Sequence, residues 1–187
     1  MVTVSPLLPA DLPAWLEFFD QRAFSDNPDW ATCYCRAYLV APGEDWDASC
    51  AANANRAPMC AAIGAGHVDG MLAWEQGRVV GWLQHGPAGR FGTPAGPLFP
   101  TEGADVAAIL CFVIAPAARG RGVARALLRG SLAQLQAQGF RQVLARAAPE
   151  ADDAAHQFTG PIALFRSEGF MEEPSPERRP RMRLRFG

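Results

Sequence analysis

Apolar positions along the chain change their period several times, and each change marks an element. Residues 3–8, TVSPLL, alternate weakly, as a short strand does. Leu12, Trp15, Leu16 and Phe19 then recur at i, i+3, i+4 and i+7, which predicts an amphipathic helix with Asp11 as its cap. Residues 25–66 keep no single period; they contain Pro28, Pro42 and Pro58 and read as broken helix. In GMLAWEQGRVVGWLQHGP, two runs of strand type flank Gln76-Gly77, the pattern of a β-hairpin. A patternless Gly/Pro-rich loop follows. VAAILCFVIA is then apolar throughout and has strand length, as a buried central strand requires. Ala124, Leu127, Leu128, Ser131, Leu132 and Leu135 return to helical spacing, and Gly139 supplies the stop. FRQVLARA reads as a strand, GPIALFRSEGF as a short helix ending at Gly169, and RMRLRFG as a strand with one wet, arginine-bearing face. The order predicts one mixed α/β (α+β) domain over residues 1–187, its largely antiparallel sheet flanked by helices.

Composition narrows the chemistry. With 187 residues, 49% of them hydrophobic, and five tryptophans, there is ample material for a core. All 17 basic residues are arginine. Without lysine there is no Schiff-base or pyridoxal phosphate mechanism and no P-loop lysine. A net charge of −2 argues against general nucleic-acid affinity, and no apolar run approaches a membrane span. The first residues carry neither a basic leader nor an apolar leader segment, so the five cysteines are expected as reduced thiols of a cytoplasmic protein. Neither a nucleic-acid nor a membrane partner is expected, and a homodimer is left open.

Between the apolar run and the helix stand Arg119, Gly120, Arg121 and Gly122. A helix start offers unpaired N–H groups and the positive end of the macrodipole. Glycines let an anion approach that backbone, and arginines add charged donors. The P-loop is excluded because no Gly-Lys-Ser/Thr follows. The dinucleotide fingerprint fails too, since its third position is Arg125, which cannot give close helix–strand packing; this disfavours a nucleotide-binding oxidoreductase.

Arg119-x-x-Gly122-x-Ala124 after FVIAP resembles the pyrophosphate-binding signature of the GNAT superfamily, N-acyltransferases that use acyl-coenzyme A. ALFRSEGF is similar to that superfamily's second signature, one helix and one strand further on. The resemblance implies a mostly antiparallel sheet with splayed central strands and acetyl-CoA as co-substrate, with no metal. It implies an amine of a small molecule or a protein as acceptor. Main-chain groups of Phe112, Val113 and Ile114 would receive the pantetheine arm, and the amides of Arg119, Gly120, Arg121, Gly122, Val123 and Ala124 the pyrophosphate. Residues 25–66 would line the acceptor side, where Trp30, Tyr34, Tyr38 and Trp46 could form an aromatic wall. The alternative is a module of the same fold that binds acyl-CoA without turnover.

Two positions depart from the family pattern. Phe165 stands where many members carry a tyrosine acid, so the thiolate is expected to leave more slowly without an acid, or to be protonated by water, His156 or Ser167. Ala108 stands where some carry a basic glutamate. His85, Asp105 and Glu102 are the candidate catalytic residues, with His85 expected beside Asp105. Cys33-x-Cys35, with Cys50, Cys60, His67 and His85, lacks the paired spacing of a zinc site. An acyl-carrier role for Cys111 stays open but is the less favoured reading, since the apolar strand around it would raise its pKa. Arg178 to Arg185 are expected on a strand face balanced by Glu172, Glu173 and Glu177 rather than on nucleic acid.

Overall fold

The computed structural model describes residues 1–149, 156–174 and 178–187. Among them nine strands form a seven-stranded sheet and a small hairpin. They are β1 (Thr3–Pro6), β2 (Gly70–Glu75), β3 (Arg78–Pro87), β4 (Gly92–Thr93), β5 (Gly96–Pro97), β6 (Val106–Ile114), β7 (Gln142–Arg146), β8 (Met171–Glu173) and β9 (Arg181–Arg185). The helices are α1 (Leu12–Gln21), α2 (Trp46–Ala51), α3 (Arg56–Gly64), α4 (Val123–Ala137) and α5 (Ile162–Ser167). The sheet runs β1-β2-β3-β6-β7-β9-β8, antiparallel except for β6 with β7, and so is mostly antiparallel as the sequence predicts; β4 and β5 pair within the Gly/Pro-rich loop, where no pattern announces them.

The β2–β3 turn is formed by Gln76 and Gly77 at φ 51° and 74°, the two consecutive left-handed residues of the tight hairpin turn that matches strand twist. Successive β3 side chains point to opposite faces. A Cβ at Gly81 would face Val123 and Leu127 of α4, whereas the Trp82 ring meets Trp15 of α1 edge-on at 6.2 Å. Helices therefore cover both faces, α1 on one and α4 on the other. Helix α4 buries Val123, Leu127, Leu128, Ser131 and Leu135. It ends as its sequence foretells, at Gly139 (φ 88°), with Gly139 N–H bonded to the Gln136 carbonyl and Phe140 N–H to that of Leu135.

Three local expectations are corrected. The Asp11 side chain does not cap α1; its carboxylate accepts the Leu8 N–H at 2.9 Å, closing the 3₁₀ turn before the helix. The arginine face of β9 is wet only at its end: Arg185 is exposed, whereas Arg183 is buried and with Arg181 pairs with Glu102 and Glu173. Strand β9 lies inside the sheet between β7 and β8, so carboxylates rather than water satisfy Arg181 and Arg183. Glu172 is aligned across the ladder from Met182, and Glu177 lies outside the described residues.

The feature that positions the site is a short ladder. Strand β6 pairs with β7 only from Val106–Ile109 to Gln142–Ala145 and then continues to Ile114 paired with β3 alone. From Leu110 onward its β7-facing edge has no strand beside it among the described residues. The central strands thus splay.

Candidate functional site

A cleft of about 540 Å³ opens where β6 and β7 part. Its walls are the far half of β6, the head of α4, residues 23–30 after α1, and residues 157–164 leading into α5. Of the nine residues the sequence assigns to acyl-CoA, Phe112, Val113, Ile114, Arg119, Gly120, Gly122, Val123 and Ala124 line this cleft. Arg121 does not. Its guanidinium turns outward to Glu75 and holds that carboxyl below its usual range.

The head of α4 is built to leave donors free. A 3₁₀ turn, Pro116–Ala118, ends β6, and Gly120 and Gly122 then take φ 71° and 80°. Gly122 is the helix N-cap and has no side chain to bond the first amides. Among the described residues, the N–H groups of Gly122, Val123 and Ala124 find no acceptor. A Cβ at Gly120 or Gly122 would meet nothing within 4 Å, so the space before these amides is open. Unpaired amides, the helix dipole and open space together make an anion seat.

The Arg119 side chain braces this seat. Its Nε donates to the Ile114 carbonyl at 3.1 Å, and its terminal nitrogens bond Asp26, 93 residues earlier in the chain. Arg119 holds the Asp26 carboxyl below its usual value. Opposite, Trp30 meets Phe158 edge-on at 5.6 Å, and the Arg179 guanidinium lies 4.6 Å from the Phe158 ring centre. Trp30 is the one member of the expected aromatic wall that lines the cleft. Tyr34 is buried against Trp15 and Phe19 and donates to Asp20, while Tyr38 packs with the smaller core cluster around Phe91, where burial pushes its phenol up to about 12. Trp46 begins α2, outside the cleft lining.

The three candidate catalytic residues do not come together. The β3–β6 register sets His85 opposite Ile109, not beside Asp105. The His85 ring is buried, with Nδ1 2.9 Å from Ser131 Oγ on α4 and Nε2 unpartnered. Asp105 is exposed and precedes β6, its carbonyl accepting the Arg141 N–H, and Glu102 is engaged by Arg181 and Arg183. None lines the cleft. Ala108 is fully buried, as is Phe165, whose ring packs between Phe112 and Phe170. The Ser167 hydroxyl donates to the Leu164 carbonyl, and the His156 side chain lies outside the described residues.

Burial lowers the His85 pKa to about 4, so the folded protein holds a neutral imidazole. An unfolded histidine titrates near ~6.5. The associated stability is complete above that pH, falls as pH drops, and is exhausted near the folded pKa; the loss is about 3 kcal/mol. Thermal melting followed from pH 7 to 4 is expected to show this decline in the wild type and a flatter profile in His85→Gln.

Sequence reasoning missed Asp26, Asn27, Gln157, Phe158 and Gly160 of the cleft. Of these, only Gly160-Pro161 ahead of a helix leaves a visible trace. Gly160 sits at φ 88°.

The model of the acetyltransferase (GNAT) family matches residues 27–159. No curated protein matches the sequence at a significant level. Among solved structures, the GNAT domain of S. lividans PAT aligns with TM-score 0.60 and 20% identity over 99% of this chain and 90% of that one. The PaiA N-acetyltransferase of Thermoplasma acidophilum in complex with coenzyme A aligns with TM-score 0.59 and 9% identity, covering 100% and 99%. A ribosomal-protein-alanine N-acetyltransferase from Brucella melitensis aligns with TM-score 0.57 and 23% identity, covering 98% and 99%. At these identities the likeness is one of fold, and it extends over the whole chain.

Proposed function

We propose, from the premise that this chain belongs to the GNAT acetyltransferase family, that it transfers an acetyl group from acetyl-CoA to an amine of a small molecule or a protein. One observation carries the reading. The unpaired edge of β6 and the free amides heading α4 meet in a single cleft. The fit is chemical as well as spatial. A diphosphate matches the anion seat at Gly122, Val123 and Ala124, and the two amides of a pantetheine arm match a strand edge that offers main-chain donors and acceptors. The PaiA enzyme with coenzyme A is one neighbour of this fold, and a GNAT family acetyltransferase from Brucella melitensis with acetyl-CoA is another, at TM-score 0.52.

When bound, acetyl-CoA supplies the thioester whose acyl carbon an amine attacks. The described residues lining the cleft serve to bind and orient the thioester. Phe112 to Ile114 present main chain along the cleft, where a β6 amide would hold the developing oxyanion, and Trp30 and Phe158 exclude water from one side. With Phe165 and Ala108 in place of titratable groups, the amine proton passes to solvent. A thiol with pKa near ~8.5 departs as thiolate without an acid.

Calorimetry with acetyl-CoA, followed by thiol release across a panel of amines, tests the reading. Binding together with amine-dependent release supports transfer. Binding without release leaves a module that only holds the thioester, and no binding removes the site altogether.

Asp26 gives a prediction of definite sign. Its carboxylate occupies Arg119 at the lip of the seat, where a diphosphate brings further negative charge. Asp26→Asn frees the guanidinium and removes a repulsion, so acetyl-CoA is expected to bind about threefold tighter, the modest size befitting a partly exposed pair. Titration calorimetry at low salt reads it.

A further inference from the structure

Two thiols stand in contact at the splay. Cys35 Sγ lies 3.1 Å from Cys111 Sγ, although the residues are 76 positions apart and both thiols are free. Cys111 sits on β6 opposite Gln84, beyond Ile109 and therefore in the half that has left β7. Cys35 belongs to the segment that covers this face of the sheet. Its approach depends on an unusual backbone: Tyr34 and Cys35 both adopt left-handed φ, 44° and 49°, a conformation costly for residues with side chains. The turn is closed by the Arg36 N–H to the Cys33 carbonyl at 2.9 Å and pinned by the Tyr34 hydroxyl on Asp20 at 2.8 Å. A strained turn, fixed at both ends, thus delivers one sulfur onto another.

We infer that Cys35 and Cys111 form a dithiol–disulfide couple that, on oxidation by a peroxide, fastens residues 25–66 to the splayed half of β6. The chemistry balances. Cys111, 7% exposed against 1% for Cys35, is the sulfur that a water-sized peroxide reaches first. Its thiol is oxidised to a sulfenic acid while hydrogen peroxide is reduced to water. The Cys35 sulfur then attacks the sulfenic sulfur; the S–S bond forms, the S–O bond breaks, and the hydroxyl leaves as a second water with the Cys35 proton. Two electrons pass from the sulfurs to the peroxide. A thiol donor reverses the step by exchange.

The pairing distinguishes this couple from mere thiol reactivity. Cys33, Cys50 and Cys60 are all more exposed than Cys35 and would be modified first if access alone decided. The cross-link closes a long loop, which constrains the unfolded chain and stabilises the fold. It leaves the glycines and amides heading α4 untouched, so the inference stands whether or not the cleft binds acetyl-CoA.

The experiment treats the full chain with hydrogen peroxide, alkylates the remaining thiols and maps peptides by mass without reduction. The expected major product joins Cys35 to Cys111, lighter by two hydrogens, with Cys33, Cys50 and Cys60 alkylated. The oxidised protein melts about 5–10 °C higher, and dithiothreitol reverses the gain. Cys60→Ser keeps the gain, whereas Cys35→Ser and Cys111→Ser each lose it. Oxidation confined to Cys60, linkage through Cys33 or Cys50, or an unchanged or lower melting temperature overturns the inference. The peptide map of the wild type decides the matter even if a serine variant fails to fold.

Discussion

Gly122→Val is expected to raise the Kd for acetyl-CoA at least tenfold while the protein remains folded. Gly122 caps α4 at φ 80°, and a Cβ there would meet no protein atom within 4 Å. The penalty to folding is therefore backbone strain alone, about 1–2 kcal/mol for a side chain in the left-handed region, or a few degrees in melting temperature. The penalty to binding is larger in kind. A branched side chain fills the space through which a diphosphate must approach the Gly122, Val123 and Ala124 amides, and a tenfold loss corresponds to only ~1.4 kcal/mol, less than one well-made charged hydrogen bond. Gly139 provides the matched control. It ends the same helix at φ 88°, also with nothing within 4 Å of a built Cβ. Gly139→Val should cost similar stability and leave the Kd unchanged. Calorimetric titration and thermal melts on the two variants separate strain from obstruction, and equal Kd values for both would dismiss the anion seat.

The contrast between these glycines shows what the sequence could carry. The β6–α4 unit was legible because its parts are local: an apolar run, a proline, then glycines whose conformational range permits the turn. The hairpin around Gln76-Gly77 was legible for the same reason. The side chains acting on the site were not. Arg119 reads as a phosphate ligand until Asp26 is seen against it, and nothing along the chain joins positions 26 and 119. Glu102 reads as a free carboxylate beside the central strand until β9 brings Arg181 and Arg183 onto it. His85 was displaced by register, since β3 meets β6 with His85 opposite Ile109, well along the strand from Asp105, while strand alternation aims its ring at Ser131 rather than at the opposite face. Main-chain chemistry follows from local residues; side-chain chemistry depends on which distant element arrives opposite.

Gly160 joins the two kinds of information, and its substitution should give a large loss of stability. At φ 88° it already excludes most side chains, and a Cβ there would lie 2.8 Å from Phe165 Cε2, 3.0 Å from Phe165 Cζ and 2.9 Å from Phe112 Cε2. Neither ring can yield easily. Phe165 is fully buried, edge-on to Phe112 at 6.0 Å and to Phe170 at 5.1 Å, while Phe112 belongs to the central strand. The backbone is held as well, because the Gly160 carbonyl accepts the Ala148 N–H at 2.7 Å where the chain crosses from β7 towards α5. Gly160→Ala therefore adds left-handed strain of about 1–2 kcal/mol to an overpacking cost of about 1–3 kcal/mol, some 3 kcal/mol together. For a chain of this length that lowers the melting temperature by roughly 6–12 °C. Gly120→Ala, at φ 71° but facing open space, should cost only the strain. Phe165→Leu offers the decisive combination. By removing the ring edge it should relieve the crowding, so the double variant loses clearly less than the sum of the two single losses. Strict additivity would mean that the Phe165 ring does not limit this position, leaving the Phe112 edge and backbone strain to account for the glycine.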